Sequence, residues 1–141
     1  MIRLRPHHLL CALTFVGEGY TDAFVENFRA VLARIDAGEP YEIVEGPDDI
    51  CAPLEAAGDA HCALERLRES DAHARTELRA DPHVCDVLAA DVLDRVRIAR
   101  LREAFSRGTI RAACAGCSWH ELCTAVAGED YARSILQGAQ A

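Results

Sequence analysis

The chain has 141 residues, half of them hydrophobic and 27% charged, and this length and balance predict a single soluble globular domain with its own core. Its net charge is −8, because 23 acidic residues outnumber 15 basic ones, all of which are arginine. Such a surface repels phosphate backbones and anionic lipids, so we expect neither nucleic acid nor a membrane as a partner. No apolar run is long enough to span a bilayer.

Residues 1–5 are expected to form a short extended arm. Pro6 then suits the first turn of a helix that runs to about Val16, because its fixed backbone angle is already helical. A basic start before an apolar run superficially resembles a signal peptide, but two histidines open the run and no small-residue cleavage site follows it. We therefore predict a buried amphipathic helix.

The middle of the chain alternates between helical and irregular patterns. Thr21 or Asp22 caps a second helix, which ends at Gly38. Residues 39–56 are rich in proline and glycine, and we predict an irregular stretch there with a short strand at 41–44. From residue 60 to 105 the pattern is helical again, with a break near residues 81–82.

The C-terminal part predicts short helices around the cysteines and a last helix over residues 130–136. No segment alternates with period two for long enough to build a sheet. The sequence therefore predicts a mainly α fold, with a single domain over residues 1–141 and one irregular Pro/Gly-rich loop.

Seven cysteines are many for this length, and the number is odd. A secreted disulfide scaffold would need an even set and an export signal. In the reducing cytosol, where we expect this protein, clustered cysteines more often bind a metal or carry out redox chemistry.

The C-terminal segment RAACAGCSWHELC carries three cysteines as C-x₂-C-x₅-C. Thiolates bind Zn²⁺ and iron–sulfur clusters because sulfur is a soft donor. Cys114 and Cys117 can converge on one metal from a tight turn, and Cys123 can join them if the chain turns after Cys117. Cys51 and Cys62, both in or near the irregular stretch, are the candidates for completing the site. The alternative is that these five cysteines are small core residues.

Other residues near this set have weaker patterns. Cys85, in HVCDVLAADVL, shares an apolar helical face with Leu88, Ala89 and Val92 and is expected in the core. Trp119 is expected to be a core anchor. His61 and His120 neighbour the cysteine candidates, and either could replace a thiolate, as histidine does in Rieske centres.

The opening RLRPHHLLC forms a second group of candidate residues. His7 lies four residues and His8 three residues before Cys11, so either imidazole could share a helix face with that thiol. The thiol and one imidazole could bind a metal, or Arg3, Arg5 and the histidines could hold an anion at the helix N-terminus. The simpler alternative has one histidine bonded internally and the cysteine in the core.

The opening IRLRPHHLLCALTFVGEGY, the phrase EGPDDIC and the ending C-x₂-C-x-W-x₃-C resemble the DUF1284 family, small bacterial and archaeal proteins of unknown function, some of which are labelled iron–sulfur or ferredoxin-like. The resemblance runs from residue 2 to about 123 and implies a cysteine-rich, cluster-binding cytosolic protein, without implying a reaction. In that family the middle loop carries C-x₂-C-P and a later cysteine. Cys51 and Cys62 match the first and last of these, but Leu54 stands in the second place, and Cys11, His61 or a water could fill the gap.

Three functional hypotheses follow. The first is an iron–sulfur protein with a [4Fe–4S] or [2Fe–2S] cluster, which transfers electrons to a redox partner protein or senses redox state. The second is a structural zinc domain. The third is an enzyme that binds a small molecule or anion through Arg5, His7, His8 and Cys11, with the thiol as nucleophile, although no complete triad can be read from the sequence.

Overall fold

The computed structural model describes residues 1–53, 65–89 and 91–140. The strands are β1 (Ile2–Leu4) and β2 (Tyr41–Ile43). The helices are α1 (Pro6–Thr14), α2 (Asp22–Asp36), α3 (Glu65–Ala80), α4 (Arg95–Arg107) and α5 (His120–Gly128), with short 3₁₀ turns at Cys85–Leu88 and Ala112–Cys114. The fold is mainly α, as the sequence predicts. None of the described helices combines the length and apolar content needed to cross a membrane.

Helix α1 is the central element of the core. It begins at Pro6, directly after extended backbone at Arg5, and ends at Thr14. Leu9, Leu10 and Leu13 are almost fully buried, so apolar side chains cover more than one face of the helix. A helix of this kind is stable only when it is packed on several sides, and α1 contacts α3, α4 and α5.

Helix α2 follows its local sequence signals closely. The Thr21 hydroxyl accepts the N–H of Phe24 at 3.0 Å, which confirms the predicted cap. Phe24, Phe28 and other apolar residues at helical spacing are buried on one face. Gly38, with φ of +93°, ends the helix at the predicted position and donates its N–H to the carbonyl of Ile35.

The expected N-terminal arm is a strand, β1, paired in parallel with β2 in the register Ile2↔Tyr41 and Leu4↔Ile43. Beyond the sheet, Arg3 donates its N–H to the Asp49 carboxylate at 2.9 Å, and Asp49 donates its own N–H to the Arg3 carbonyl at 3.1 Å. This short pairing therefore holds the loop after β2 against the chain that leads into α1.

Two local predictions are wrong. Cys85 is exposed rather than in the core, because residues 85–88 form a 3₁₀ turn instead of a continuous helix. A 3₁₀ turn has three residues per turn, so the buried positions are Val84 and Val87.

The helix expected over residues 130–136 does not form. Asp130 and Tyr131 have positive φ values of 57° and 60°, a left-handed backbone that ends the preceding helix. The following residues extend across α1: Ser134 donates its hydroxyl to the carbonyl of Leu13 at 2.7 Å, and Ile135 donates its N–H to the carbonyl of Phe15 at 3.1 Å. Tertiary hydrogen bonds thus replace the helical ones.

Candidate cysteine and histidine site

A cavity of about 280 Å³ lies among α1, α2, α3 and the segment 112–123. One water occupies about 30 Å³ in the liquid, so this space holds a group of several atoms. Five of the described cysteines line it: Cys11, Cys51, Cys114, Cys117 and Cys123. No disulfide joins the cysteines of the described ranges. The fold therefore brings two groups of candidate residues to one cavity, the cysteines and the residues of the chain's opening.

The C-terminal cysteines are positioned by two consecutive turns. Cys117 donates its N–H to the carbonyl of Cys114 at 3.0 Å, and Gly116 between them has φ of +75°, which favours glycine. The backbone N–H of Trp119 points at the Cys117 sulfur at 3.4 Å. Helix α5 then begins at His120 and presents Cys123 in its first turn. The C-x₂-C turn and the later return of the chain both match the expected arrangement.

Cys11, on α1, lies beside these three cysteines. Burial raises the pKa of the Cys11 thiol well above its ordinary value, and the charges of Cys123, Cys114 and Cys117 raise it further. Thr14, one turn along α1, donates its hydroxyl to the Cys123 sulfur at 3.1 Å. We call Cys11, Cys114, Cys117 and Cys123 the thiol quartet.

Three thiols of the quartet, those of Cys11, Cys114 and Cys123, resist ionisation in the absence of a cation. Burial raises the pKa of Cys114, and a hydrogen bond from Arg111 opposes that rise. Burial also raises the pKa of Cys123, opposed by the hydrogen bond from Thr14. A bound metal reverses this balance, because thiols coordinated to a cation lose their protons.

The spacing of the quartet bears on the kind of metal group it fits. A tetrahedral Zn²⁺ with Zn–S bonds of about 2.3 Å places its sulfurs about 3.8 Å apart. Within residues 1–53, 65–89 and 91–140, the only three metal-binding side chains whose ligand atoms all lie within 4.8 Å of one another are His8, Asp48 and Cys51. No three sulfurs of the quartet therefore all lie within 4.8 Å of one another, which is a wider spacing than one tetrahedral zinc ion requires.

A network of buried charges lies at the start of α1, next to the cavity. Arg5 is fully buried, and its Nε donates to Asp71 Oδ2 at 2.8 Å. His7 Nδ1 lies 2.5 Å from Asp71 Oδ1. Burial opposes the ionisation of Asp71, but hydrogen bonds and charge from His7 and then Arg5 lower its pKa. Asp71 comes from α3, so this network ties α3 to the start of α1.

Asp48 contacts the ring of His8 as Asp71 contacts the ring of His7. Its Oδ2 accepts the N–H of Arg5 at 2.7 Å and lies 2.8 Å from His8 Nδ1. Its Oδ1 accepts the N–H groups of Ile50 and Cys51, both at 3.1 Å. Burial works against ionisation here too, yet the charge and hydrogen bond of His8 bring the pKa of Asp48 down to about 2.

The group of His8, Asp48 and Cys51 is close enough to hold a metal, but its hydrogen bonds argue for a supporting role. The four N–H donors occupy both lone pairs of each Asp48 oxygen. The Cys51 sulfur accepts the N–H of Asp48 at 3.1 Å. A metal bound to Asp48 would displace one of these hydrogen bonds, so Asp48 is better suited to orienting His8.

The structure places most of the predicted site residues around one cavity. Its lining includes His7, His8, the exposed His120 and five of the predicted cysteines, Cys11, Cys51, Cys114, Cys117 and Cys123. Cys62, His61 and Leu54 lie outside the described residues. Arg5 pairs with Asp71, and the exposed Arg3 bonds to Asp49 through its backbone.

Asp48 and Asp71 were missed in the sequence. Asp48 sits in EGPDDIC, where it resembles an ordinary turn residue. Asp71 lies in a strongly charged helical stretch, ERLRESDAHARTELRA, in which no local signal distinguishes it from its neighbours.

Fold and cavity together define a small helical protein with a cysteine-lined site. The chain belongs to the family described as "Protein of unknown function (DUF1284)", whose model matches residues 19–123. The matched region contains the three C-terminal cysteines and both buried aspartates, and it begins after the His7–Cys11 segment. Neither the curated proteins nor the solved structures include a significant match to the chain.

Proposed function

We propose that this protein binds an iron–sulfur cluster through Cys11, Cys114, Cys117 and Cys123 and serves in electron transfer or redox sensing. The observation that carries the proposal is that these four thiols line one cavity and that no three of their sulfurs all lie within 4.8 Å of one another, a wider spacing than a single zinc ion requires. Four thiolates are the usual ligand set of [2Fe–2S] and [4Fe–4S] clusters. Such a cluster, when bound, takes up and releases single electrons.

The surrounding residues are suited to controlling a cluster. Hydrogen bonds to the sulfurs and exclusion of water both tune a cluster's potential. Thr14 and the backbone of Trp119 direct donors at Cys123 and Cys117. The Trp119 ring meets Tyr20 edge-to-face, with ring centres 5.9 Å apart, and so covers one side of the cavity.

The same site offers a path for electrons. Cys117 is exposed, whereas Cys11, Cys114 and Cys123 are half-buried. A redox partner protein would therefore dock at the Cys117 side, where the distance through the protein is shortest. We also propose a cytosolic location, since a reducing compartment would keep the cysteines available as cluster ligands.

Our ligand assignment departs from the sequence-based one at Cys51. That residue is only 1% exposed, and its sulfur accepts a hydrogen bond from the backbone N–H of Asp48, whose carboxylate contacts His8. Cys11 takes its place in the proposed set because its thiol lies within the electrostatic reach of all three C-terminal cysteines.

Single cysteine-to-serine variants purified without oxygen test this assignment. We expect Cys11→Ser and Cys114→Ser to lose most of the iron and acid-labile sulfide, while Cys51→Ser and the exposed control Cys85→Ser retain the wild-type amounts. If Cys51→Ser lost the cluster and Cys11→Ser kept it, the assignment would be wrong. Wild-type protein that contained zinc and no iron would support the structural zinc domain instead.

A further inference from the structure

We propose that His7 and His8 form a second metal site, which binds one divalent transition-metal ion, such as Zn²⁺ or Fe²⁺, through the Nε2 atoms of both rings. Its ligands are different residues from those of the thiol quartet, and its binding of a metal ion does not require the cluster. Neutral imidazole is a favoured ligand for these metals. Four features of the described residues lead to this site.

The first feature is the way both rings are held. His7 Nδ1 lies 2.5 Å from Asp71, and His8 Nδ1 lies 2.8 Å from Asp48. An ionised carboxylate can only accept a hydrogen bond, so each Nδ1 carries the proton and a neutral ring has its lone pair on Nε2. Metal-binding histidines are oriented in this way, by a carboxylate on the nitrogen that does not bind the metal.

The second feature is that both Nε2 atoms are available. No described residue forms a hydrogen bond to either atom, and neither atom is a buried polar atom without a partner. Both histidines line the cavity.

The third feature is the distance between the rings. With a metal–N bond of about 2.1 Å, the centre of an imidazole lies about 3.2 Å from the metal. Two imidazoles then have centres about 4.5 Å apart at the 90° angle of an octahedral ion and about 5.2 Å apart at the tetrahedral angle usual for Zn²⁺. The centres of the His7 and His8 rings are 4.3 Å apart, with the rings tilted by 52°. The two histidines are therefore already spaced as neighbouring ligands of one ion.

The fourth feature is the charge of the surroundings. Asp48 and Asp71 contribute two negative charges to this network, and Arg5 contributes one positive charge. When a metal is bound, both imidazoles are neutral and the three charged side chains sum to −1, which favours a cation over an anion at this place. Two protein ligands leave coordination positions open to water or a substrate, and an open position is what distinguishes catalytic from structural metal sites.

The test uses the full-length Cys114→Ser/Cys117→Ser variant, which lacks the proposed cluster ligands, titrated with Zn²⁺. Imidazole nitrogen resonances are followed by NMR. We expect one equivalent of Zn²⁺ to shift the Nε2 resonances of His7 and His8 and to leave those of the exposed His83 unchanged. If neither Nε2 resonance moved at saturating Zn²⁺, the proposal would be refuted.

Calorimetry on the otherwise wild-type chain, purified with its metal content intact, provides a second measurement that does not depend on folding of the double variant. We expect Zn²⁺ to bind at one further site. His7→Asn, which keeps a donor for Asp71, should weaken this binding at least about 10-fold, and Asp71→Asn should weaken it about 10- to 100-fold. His83→Asn is the matched control and should bind as wild type does. Equal affinities in all four proteins would contradict the proposal, whether or not a cluster is present.

Discussion

Protonation of His7 should destabilise the fold as the pH falls. Burial and the neighbouring His8 lower the pKa of His7 from 6.5 to about 4. The unfolded chain therefore binds this proton more readily than the folded chain, so the stabilisation is complete above about pH 6.5 and is lost as the pH falls toward 4. Each pKa unit corresponds to about 1.4 kcal/mol, so the full effect is about 3 kcal/mol, of which about 2 kcal/mol falls between pH 7 and 4.5.

Urea unfolding of metal-free, reduced protein, followed by far-ultraviolet circular dichroism at both pH values, measures this effect. A loss of about 2 kcal/mol is large against the 5–15 kcal/mol typical of a whole domain. His7→Asn retains a donor for Asp71 and has no imidazole to protonate, so its free energy of unfolding should fall much less over this range. His83→Asn, at an exposed histidine, should behave as wild type does. If His7→Asn and wild type lost the same stability between pH 7 and 4.5, the reasoning from His7 burial would be refuted.

Three further expectations concern the fold and the thiols. Thr21→Ala removes the cap of α2 and should lower the free energy of unfolding by about 1 kcal/mol in urea denaturation, whereas an unchanged midpoint would mean that the cap is unimportant. Leu32→Ala, at a fully buried position, should cost about 3 kcal/mol in the same assay, while Val96→Ala, at a 51% exposed position, should change stability little; equal losses would contradict the described packing. Iodoacetamide followed by mass spectrometry should modify the exposed Cys85 well before the buried Cys51, and the reverse order would contradict the positions of these two thiols.

The parts of the fold that sequence reasoning recovers are those with local causes. The Thr21 hydroxyl and Gly38 act within a turn of the helix that they bound, so the sequence predicts α2 at both ends. The parallel pairing of β1 with β2 joins residues 39 positions apart and consists of only three residue pairs. Strands this short show no alternation of apolar and polar residues that the sequence could reveal. The helix expected over 130–136 fails for a related reason, because contacts with α1 override the local preference.

The same distinction applies to the site. The C-x₂-C-x₅-C spacing reveals Cys114, Cys117 and Cys123 because their convergence needs only nearby turns. That Cys11 lies beside them depends on how α1 packs against α5, which no spacing in the sequence encodes. The two aspartates that orient the histidines are equally remote, since Asp48 and Asp71 lie 40 and 64 residues from their partners.

The most direct test of the central claim is the iron and acid-labile sulfide content of wild-type protein purified without oxygen, together with its visible spectrum before and after dithionite. We expect iron and sulfide in near-equal amounts per chain and a brown absorption that fades on reduction. A folded protein that contained neither iron nor sulfide after expression with ample iron would contradict the claim that the thiol quartet holds an iron–sulfur cluster.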